Sequence, residues 1–409
     1  MKGFIPLLLI VFFVAYTDLL RAQAVQYGDS VEVSLLTCEP GDAVYARFGH
    51  SALRIRDAGG RDMSYNYGIF DFRTTNFYWK FLRGQTDYLL GVYPTEYFLA
   101  EYRERGSVVW EQVLNLTAPE KQKLIDLLNE NYRPENRMYR YNFVFDNCAT
   151  RPKVMVQDAL DGRLSYESAY AADTYRQLIN DYISNDAWLY LGINLVFGAS
   201  ADQTVGKGGA SFLPELLRND MQRASIVGGA GDSHPRPFVK STQMAVGPFA
   251  TVVETTPWWM HPLFISVVVF FAGLALTLQR HKNSRTSKLF DSVLYGLTAL
   301  GGVIIFLLSF FSEHPLVDAN WNLLWLNPLN LLPAILIWQR KARKFLLYYH
   351  SANVLMQLAA GVVMVLQVQQ FPVAVFPLVL LLLLRTSRRI KRLFTQLLER
   401  STNGWKWKK

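Results

Sequence analysis

The chain has 409 residues, 51% of them hydrophobic, with two cysteines and a formal net charge of +9. That length accommodates two domains, and two thiols exclude a disulfide-stapled framework. The positive balance does not mark a nucleic-acid binder, because Lys and Arg gather between and after apolar runs, where they orient membrane helices.

In chain order, the opening reads as an export signal. Met1-Lys2-Gly3 precedes a greasy run, 4–16, and Ala22-Gln23-Ala24 offers the small-x-small pattern that a signal peptidase cuts. Residues 1–24 are expected to be a signal peptide, with the mature chain starting at Val25; the run is too short to span comfortably as an anchor.

Residues 25–256 mix strand and helix patterns, so an exported α+β domain is expected. Residues 31–37 alternate and are rich in β-branched side chains, and 51–56 and 63–67 flank a Gly59-Gly60 turn as a hairpin. If the chain turns through 57–61, facing residues have numbers summing to about 118, which sets Ala52 opposite Asn66 and His50 opposite Gly68. His50, Ala52, Asn66 and Gly68 then share one face, with Asn66 diagonal to the imidazole. Asp62 shares that face but lies near the turn, ~20 Å from His50 at ~3.3 Å per residue. Further on, Thr117-Ala118-Pro119-Glu120 is a capping box that opens a helix to about Tyr132.

The run Phe143-Val144-Phe145-Asp146-Asn147-Cys148-Ala149-Thr150 passes from apolar residues into a helix expected over 149–160. Asp146 or Asn147 caps it, Pro152 fits its first turn and Gly162 sits near its end. Cys148 falls at the helix N-terminus, where free backbone N–H groups and the macrodipole favour a thiolate. Residues 201–237 are Gly-rich and read as irregular, a lid or a flexible linker to the membrane. Of the six histidines, His50 and His234 lie in the exported domain, and His234 sits in that irregular stretch. A helix-borne Cys against a strand bearing His, with a polar third group, is the arrangement of thiolate catalysis. The same residues are compatible with a buried core Cys and a satisfied strand His.

The C-terminal part, 257–392, holds five apolar stretches at 262–279, 289–311, 321–338, 345–368 and 371–384. The last is short for a span, and the third carries Asn322, Asn327, Pro328, Asn330 and Pro333. Basic residues fill the connections after stretches one, three and five, including Arg280, Lys282, Arg285 and Lys288, then Arg340, Lys341, Arg343 and Lys344, then Arg385, Arg388, Arg389, Lys391 and Arg392. The alternate connections, 312–320 and 369–370, have neither Lys nor Arg. Five spans with the preceding domain outside and a basic cytoplasmic tail, 393–409, satisfy the positive-inside rule. Tryptophans 258, 259, 321, 325 and 338 read as interfacial anchors. On the outer side Glu313, His314, Asp318, Asn320 and Asn322 either grip a lipid or acylated substrate, with His314, Asn320 and Asn322 the candidate contacts, or cap helices in a short loop. Neither a metal-ligand cluster nor a phosphate-binding glycine loop is present, so no cofactor is expected.

Three segments carry a resemblance: Leu35-Leu36-Thr37-Cys38-Glu39-Pro40-Gly41 with Phe48-Gly49-His50-Ser51-Ala52, then Tyr65-Asn66-Tyr67-Gly68-Ile69-Phe70-Asp71-Phe72, then Asp146-Asn147-Cys148-Ala149-Thr150. Together they resemble the periplasmic domain of the Lnb family of bacterial lipoprotein N-acyltransferases, which also has a five-helix membrane domain. The His-before-Cys order is similar to circularly permuted NlpC-type papain-like folds. The resemblance implies His50 as base and Cys148 as nucleophile, with the third member open between Asn66 and a neighbour. It implies an acyl chain moved from a membrane phospholipid through a Cys148 thioester to the N-terminal amine of a diacylated lipoprotein, at the inner membrane. Two rivals use the same residues. One is a cell-wall cysteine peptidase or amidase; the other is a non-enzymatic, membrane-anchored binding protein in which Cys38 and Cys148 are disulfide-bonded.

Overall fold

The computed structural model describes residues 30–406 apart from 42, 71–74, 229–233, 250–255 and 280–284. The expected signal peptide, Val25, and Gly229, Gly231, Arg280 and Lys282 lie outside the described residues. The first domain is built on β1 (Glu32–Cys38), β2 (His50–Arg56), β3 (Asp62–Phe70), α1 (Phe77–Leu82), β4 (Asp87–Pro94), α2 (Thr95–Glu104), β5 (Val109–Leu114), α3 (Ala118–Tyr132), β6 (Met138–Arg140) and α4 (Thr150–Ala159). There follow β7 (Leu164–Ser165), α5 (Tyr175–Ile183), α6 (Ala187–Val196), α7 (Pro214–Arg223), β8 (Ser225–Ile226), β9 (Arg236–Pro237) and β10 (Val239–Val246).

Seven strands form an antiparallel sheet in the order β10-β5-β1-β2-β3-β4-β6. Side chains alternate between its faces, and each face buries a different set. Leu35, Leu53, Ile55, Tyr65 and Tyr67 meet Leu124 and Leu128 of α3 and Val156 of α4. Leu36, Cys38 and Ala52 meet Phe98 and Tyr102 of α2 on the other side. The hairpin register agrees with the sequence-based expectation, Leu53 facing Tyr65 and Arg54 facing Ser64. Thr117 and Glu120 form the expected reciprocal cap of α3.

The Gly-rich stretch is more ordered than its composition suggests. It contains α7, whose Leu216, Leu217 and Met221 are buried, besides two 3-10 turns and strands β8 and β9. Apolar residues spaced around α7 outweigh the glycines between elements.

The second domain comprises α8 (Pro262–Leu278), α9 (Arg285–Phe311), α10 (Leu331–Leu336), α11 (Arg343–Val365) and α12 (Val375–Lys406). By length and composition α9 alone among the described helices qualifies as a span. The third stretch is not one continuous helix: it is broken into 3-10 turns at Trp321–Leu324 and Pro328–Asn330 and the short α10. Pro328 and Pro333 cannot donate, and Asn side chains replace the lost backbone bonds. Asn330 donates to Thr298 Oγ1 at 3.0 Å and accepts from Tyr349 and Asn353, both at 2.9 Å. Irregular backbone at membrane depth is tolerated only when so enclosed by protein.

The stretch expected as a basic tail continues the helix, since α12 runs through 392 without a break. Three of its arginines are committed within the helices. Arg385 bonds Asp291 at 2.6 Å, Arg389 takes the other oxygen of the same fully buried carboxylate, and Arg388 donates to Leu276 O and Gln279 O at the end of α8. Trp325 is not an interfacial anchor: it is buried, and its indole N–H donates to Asn322 Oδ1 at 2.9 Å.

The two domains are joined by more than the chain between them. Backbone N–H groups of Gly198 and Ala199 donate to Leu316 O and Ala319 O at 2.9 and 3.2 Å, and Gln369 donates to Phe197 O at 3.1 Å. Gly198 sits so close that a Cβ there would lie 1.7 Å from Asp318 O. Leu316 inserts into a cluster with Leu178, Ile179 and Phe212 of the first domain.

Candidate functional site

His50 opens β2 and stands opposite Cys38 of β1. Its Nε2 lies 2.7 Å from Asn66 Oδ1, the diagonal contact expected of this register. Asn66 Nδ2 donates to Tyr93 OH at 2.7 Å, which leaves Oδ1 as the acceptor and places the imidazole proton on Nε2. The free ring nitrogen is then Nδ1. Phe98 and Tyr102 of α2 flank the ring at 6.3 and 6.4 Å between centroids. Gly68 closes the pocket from β3, where a Cβ would lie 2.5 Å from His50 Cε1.

Cys148 comes from the opposite layer. Every residue around it in Asp146-Asn147-Cys148-Ala149-Thr150 has a defined task. Asn147, rather than Asp146, caps the helix: its Oδ1 accepts from the N–H groups of Ala149 and Thr150 at 2.8 and 2.9 Å. Its Nδ2 donates to Phe143 O and Phe212 O at 2.7 and 2.8 Å, so all four bonding positions of this 2% exposed amide are used. Thr150 Oγ1 accepts in return from Asn147 N–H at 2.7 Å. Asp146 holds Arg151 through two bonds at 2.6 and 2.8 Å, and that guanidinium lies 3.8 Å over the Tyr139 ring. The first turn extends back to the cap, since Arg151 N–H reaches Asn147 O at 3.1 Å. Cys148 thus sits on the first helical turn, 9% exposed.

The sulfur of Cys148 lies within interaction reach of the His50 imidazole and of the backbone N–H groups of Ser51 and Cys148. Burial by itself pushes the thiol up. The His50 charge and hydrogen bond, with the two backbone N–H groups, outweigh it and hold Cys148 below the ordinary thiol value. His50 shows the reciprocal effect: burial disfavours its charge, but the Cys148 thiolate, with Asn66 and Glu101, raises it above the ordinary imidazole value. Both shifts favour the ion-paired form, a thiolate beside an imidazolium.

Cys38 is a different thiol. Burial, only partly offset by a hydrogen bond with Tyr102, raises it well above the ordinary value. Both cysteines are free. Among the described residues no group of His, Cys, Asp and Glu is arranged to hold a metal.

The outer-loop residues are placed elsewhere and have other partners. Asn320 donates to Leu195 O and Val196 O at 2.9 and 2.8 Å and caps the turn of Asn322 with its oxygen. Asn322 donates to Leu195 O at 3.1 Å and accepts from Trp325. His314 Nε2 meets Phe81 O at 2.8 Å. Asn320 and Asn322 are buried and serve domain docking, supplying donors to the carbonyls at the end of α6, while His314 is half-buried and ties the outer loop to Phe81. Tyr93 and Tyr102 were not singled out from sequence; Tyr93 was legible in principle, two residues beyond Gly91, which faces Asn66.

Fold and site together define a membrane protein whose α/β domain brings a cysteine to a histidine that is oriented by an amide. A family model described as the Lnb N-terminal periplasmic domain matches residues 21–181, and one described as the Lnb transmembrane domain matches 254–395. The chain belongs to the Lnb family, with a periplasmic domain followed by a membrane domain. No curated protein and no solved structure matches it.

Proposed function

We propose that this chain is a multi-pass inner-membrane lipoprotein N-acyltransferase that works through a Cys148 thioester. The observation that carries the reading is the Cys148–His50–Asn66 arrangement on a domain fastened to membrane helices. Family membership supports an acyltransferase of this kind. The Cys-bearing helix on one side of an antiparallel sheet that supplies His and Asn is in keeping with a permuted papain-like fold.

In the first half-reaction the Cys148 thiolate adds to an ester carbonyl of a membrane phospholipid. The developing oxyanion takes a hydrogen bond from the backbone N–H of Cys148, the N–H groups of Ala149, Thr150 and Arg151 being already bonded to Asn147. The ester C–O bond breaks, the departing lysophospholipid oxygen takes the proton of the His50 imidazolium, and the acyl group stays on sulfur. In the second half the α-amine of a diacylglyceryl-cysteine lipoprotein adds to the thioester, neutral His50 removes the amine proton, and sulfur leaves as thiolate. An ester is exchanged for an amide, and the thiolate–imidazolium pair is restored. Asn66 keeps the imidazole in the tautomer with Nδ1 toward sulfur. The steps need no metal or nucleotide.

Purified protein supplied with a phospholipid and a diacylated lipopeptide should yield the N-acylated lipopeptide by mass spectrometry. Cys148→Ser and His50→Ala should each abolish it, and Asn66→Ala should reduce it. Undiminished product from Cys148→Ser would end the covalent mechanism. Cleavage of a cell-wall peptide, with no lipopeptide acylated, would move the same residues to a peptidase or amidase.

A further inference from the structure

At the end of the membrane domain away from Cys148, a small open cleft lies between helices. Its charged lining is Lys288 at the start of α9, Arg340 and Arg343 before and at the start of α11, and Arg389 and Arg392 of α12, with no carboxylate among the lining residues. The buried acid behind them, Asp291, is already shared by Arg385 and Arg389. Lys288, Arg340, Arg343 and Arg392 thus have no carboxylate within ion-pair distance among the described residues.

A second observation points the same way. His350 of α11 lines the cleft, is 1% exposed, and its Nδ1 has no hydrogen-bond partner. A buried ring nitrogen is ordinarily satisfied, and this orphan sits beside four uncompensated cations. Apolar Leu346, Leu393 and Ile337 line the same cleft, and Trp338 lies under the Lys288 ammonium at 5.7 Å. Cations and a tryptophan at a helix end, next to apolar side chains, describe headgroup depth.

We propose that this cleft binds the phosphate headgroup of an anionic phospholipid in the cytoplasmic leaflet. The phosphate oxygens sit among the arginines, with Lys288 and His350 completing the cradle, and the glycerol end rests on the apolar residues. Zwitterionic lipids bring a cation of their own into a site that already holds uncompensated positive charge, so a net-anionic headgroup such as phosphatidylglycerol is selected. The cleft lies at the opposite end of the helices from the thiolate, so the lipid it binds is not the acyl donor.

The test is native mass spectrometry of the full chain in non-ionic detergent, titrated with dioleoylphosphatidylglycerol, dioleoylphosphatidylcholine or inorganic phosphate. One phosphatidylglycerol per chain should be retained, and Arg343→Gln with Arg392→Gln should weaken it by about tenfold or more. Lys341→Gln with Lys344→Gln, which removes two exposed charges outside the lining, should leave it within about threefold. Equal losses in the two double variants, or equal retention of the two lipids, would overturn the site. Inorganic phosphate competing as well as the lipid would reassign it to a free anion. If the cleft variant does not fold, the wild-type chain decides: saturation at one phosphatidylglycerol supports the site, and unsaturable binding overturns it.

Discussion

Gly68→Ala isolates the geometry of the Cys148–His50 pair. The backbone at Gly68 is not in the left-handed region, so alanine is conformationally acceptable and the effect is purely steric. The new methyl would stand 2.5 Å from His50 Cε1 and 2.9 Å from Asn66 Oδ1. Carbon atoms rest at about 3.5–4.0 Å, so the ring must retreat by about 1 Å. Misplacement on that scale costs about 10²-fold in a reaction that depends on alignment. The assay needs no substrate: the rate of iodoacetamide alkylation is followed against pH by intact-mass measurement. In the wild type one thiol, Cys148, should react, with a plateau reaching below the ordinary thiol range, while Cys38 stays unmodified. In Gly68→Ala the plateau should shrink toward ordinary thiol behaviour and acyl transfer should fall by about two orders of magnitude, with the unfolding temperature little changed. A wild-type pH profile and rate in this variant would refute the proposed contact between ring and sulfur.

Because Cys148 is lowered and His50 raised, the ion pair exists above the first value and below the second. Alkylation and acyl transfer should rise as pH climbs through the Cys148 titration, and acyl transfer should fall once His50 loses its proton, the two apparent values belonging to the pair. In His50→Ala the rising limb should move to or above the free-thiol value of about 8.5, since burial then acts unopposed; an unmoved limb would count against His50. Asn147→Ala removes the cap and leaves two carbonyls without their donor, so a loss of about 2–4 kcal/mol is expected in denaturant or thermal unfolding. A change under about 0.5 kcal/mol would mean the cap matters little. Gly198→Ala should undock the domains, read as faster proteolytic release of the periplasmic domain with its own unfolding less affected; unchanged proteolysis would contradict the close approach to Asp318 O.

The parts of this molecule legible in the sequence were those governed by short-range rules. Period-two alternation and a glycine turn were enough to set the β2–β3 register, and with it the meeting of His50 and Asn66. The residue pattern Asp146-Asn147-Cys148 placed the thiol on a first turn, though choosing Asn147 over Asp146 as cap required knowing that Phe212, 65 residues away, supplies a carbonyl to its amide. The outer loop was harder to read. Asn320 and Asn322 look like substrate ligands when their only neighbours are a membrane and a loop, and their real partners, the last carbonyls of α6, are more than 120 residues distant. The third membrane stretch carried its own warning in two prolines and three asparagines. Hydropathy averages over such residues, whereas the backbone breaks at them.

The seam formed by Gly198, Asn320, Asn322 and Gln369 ties the periplasmic domain to the membrane domain beyond the chain that links them. On the mechanism proposed above, Cys148 then works at one height over the bilayer, and reactive groups must rise or sink to meet it. Lipoproteins with equal acyl chains but differently stiff residues after the lipidated cysteine should accordingly differ in rate.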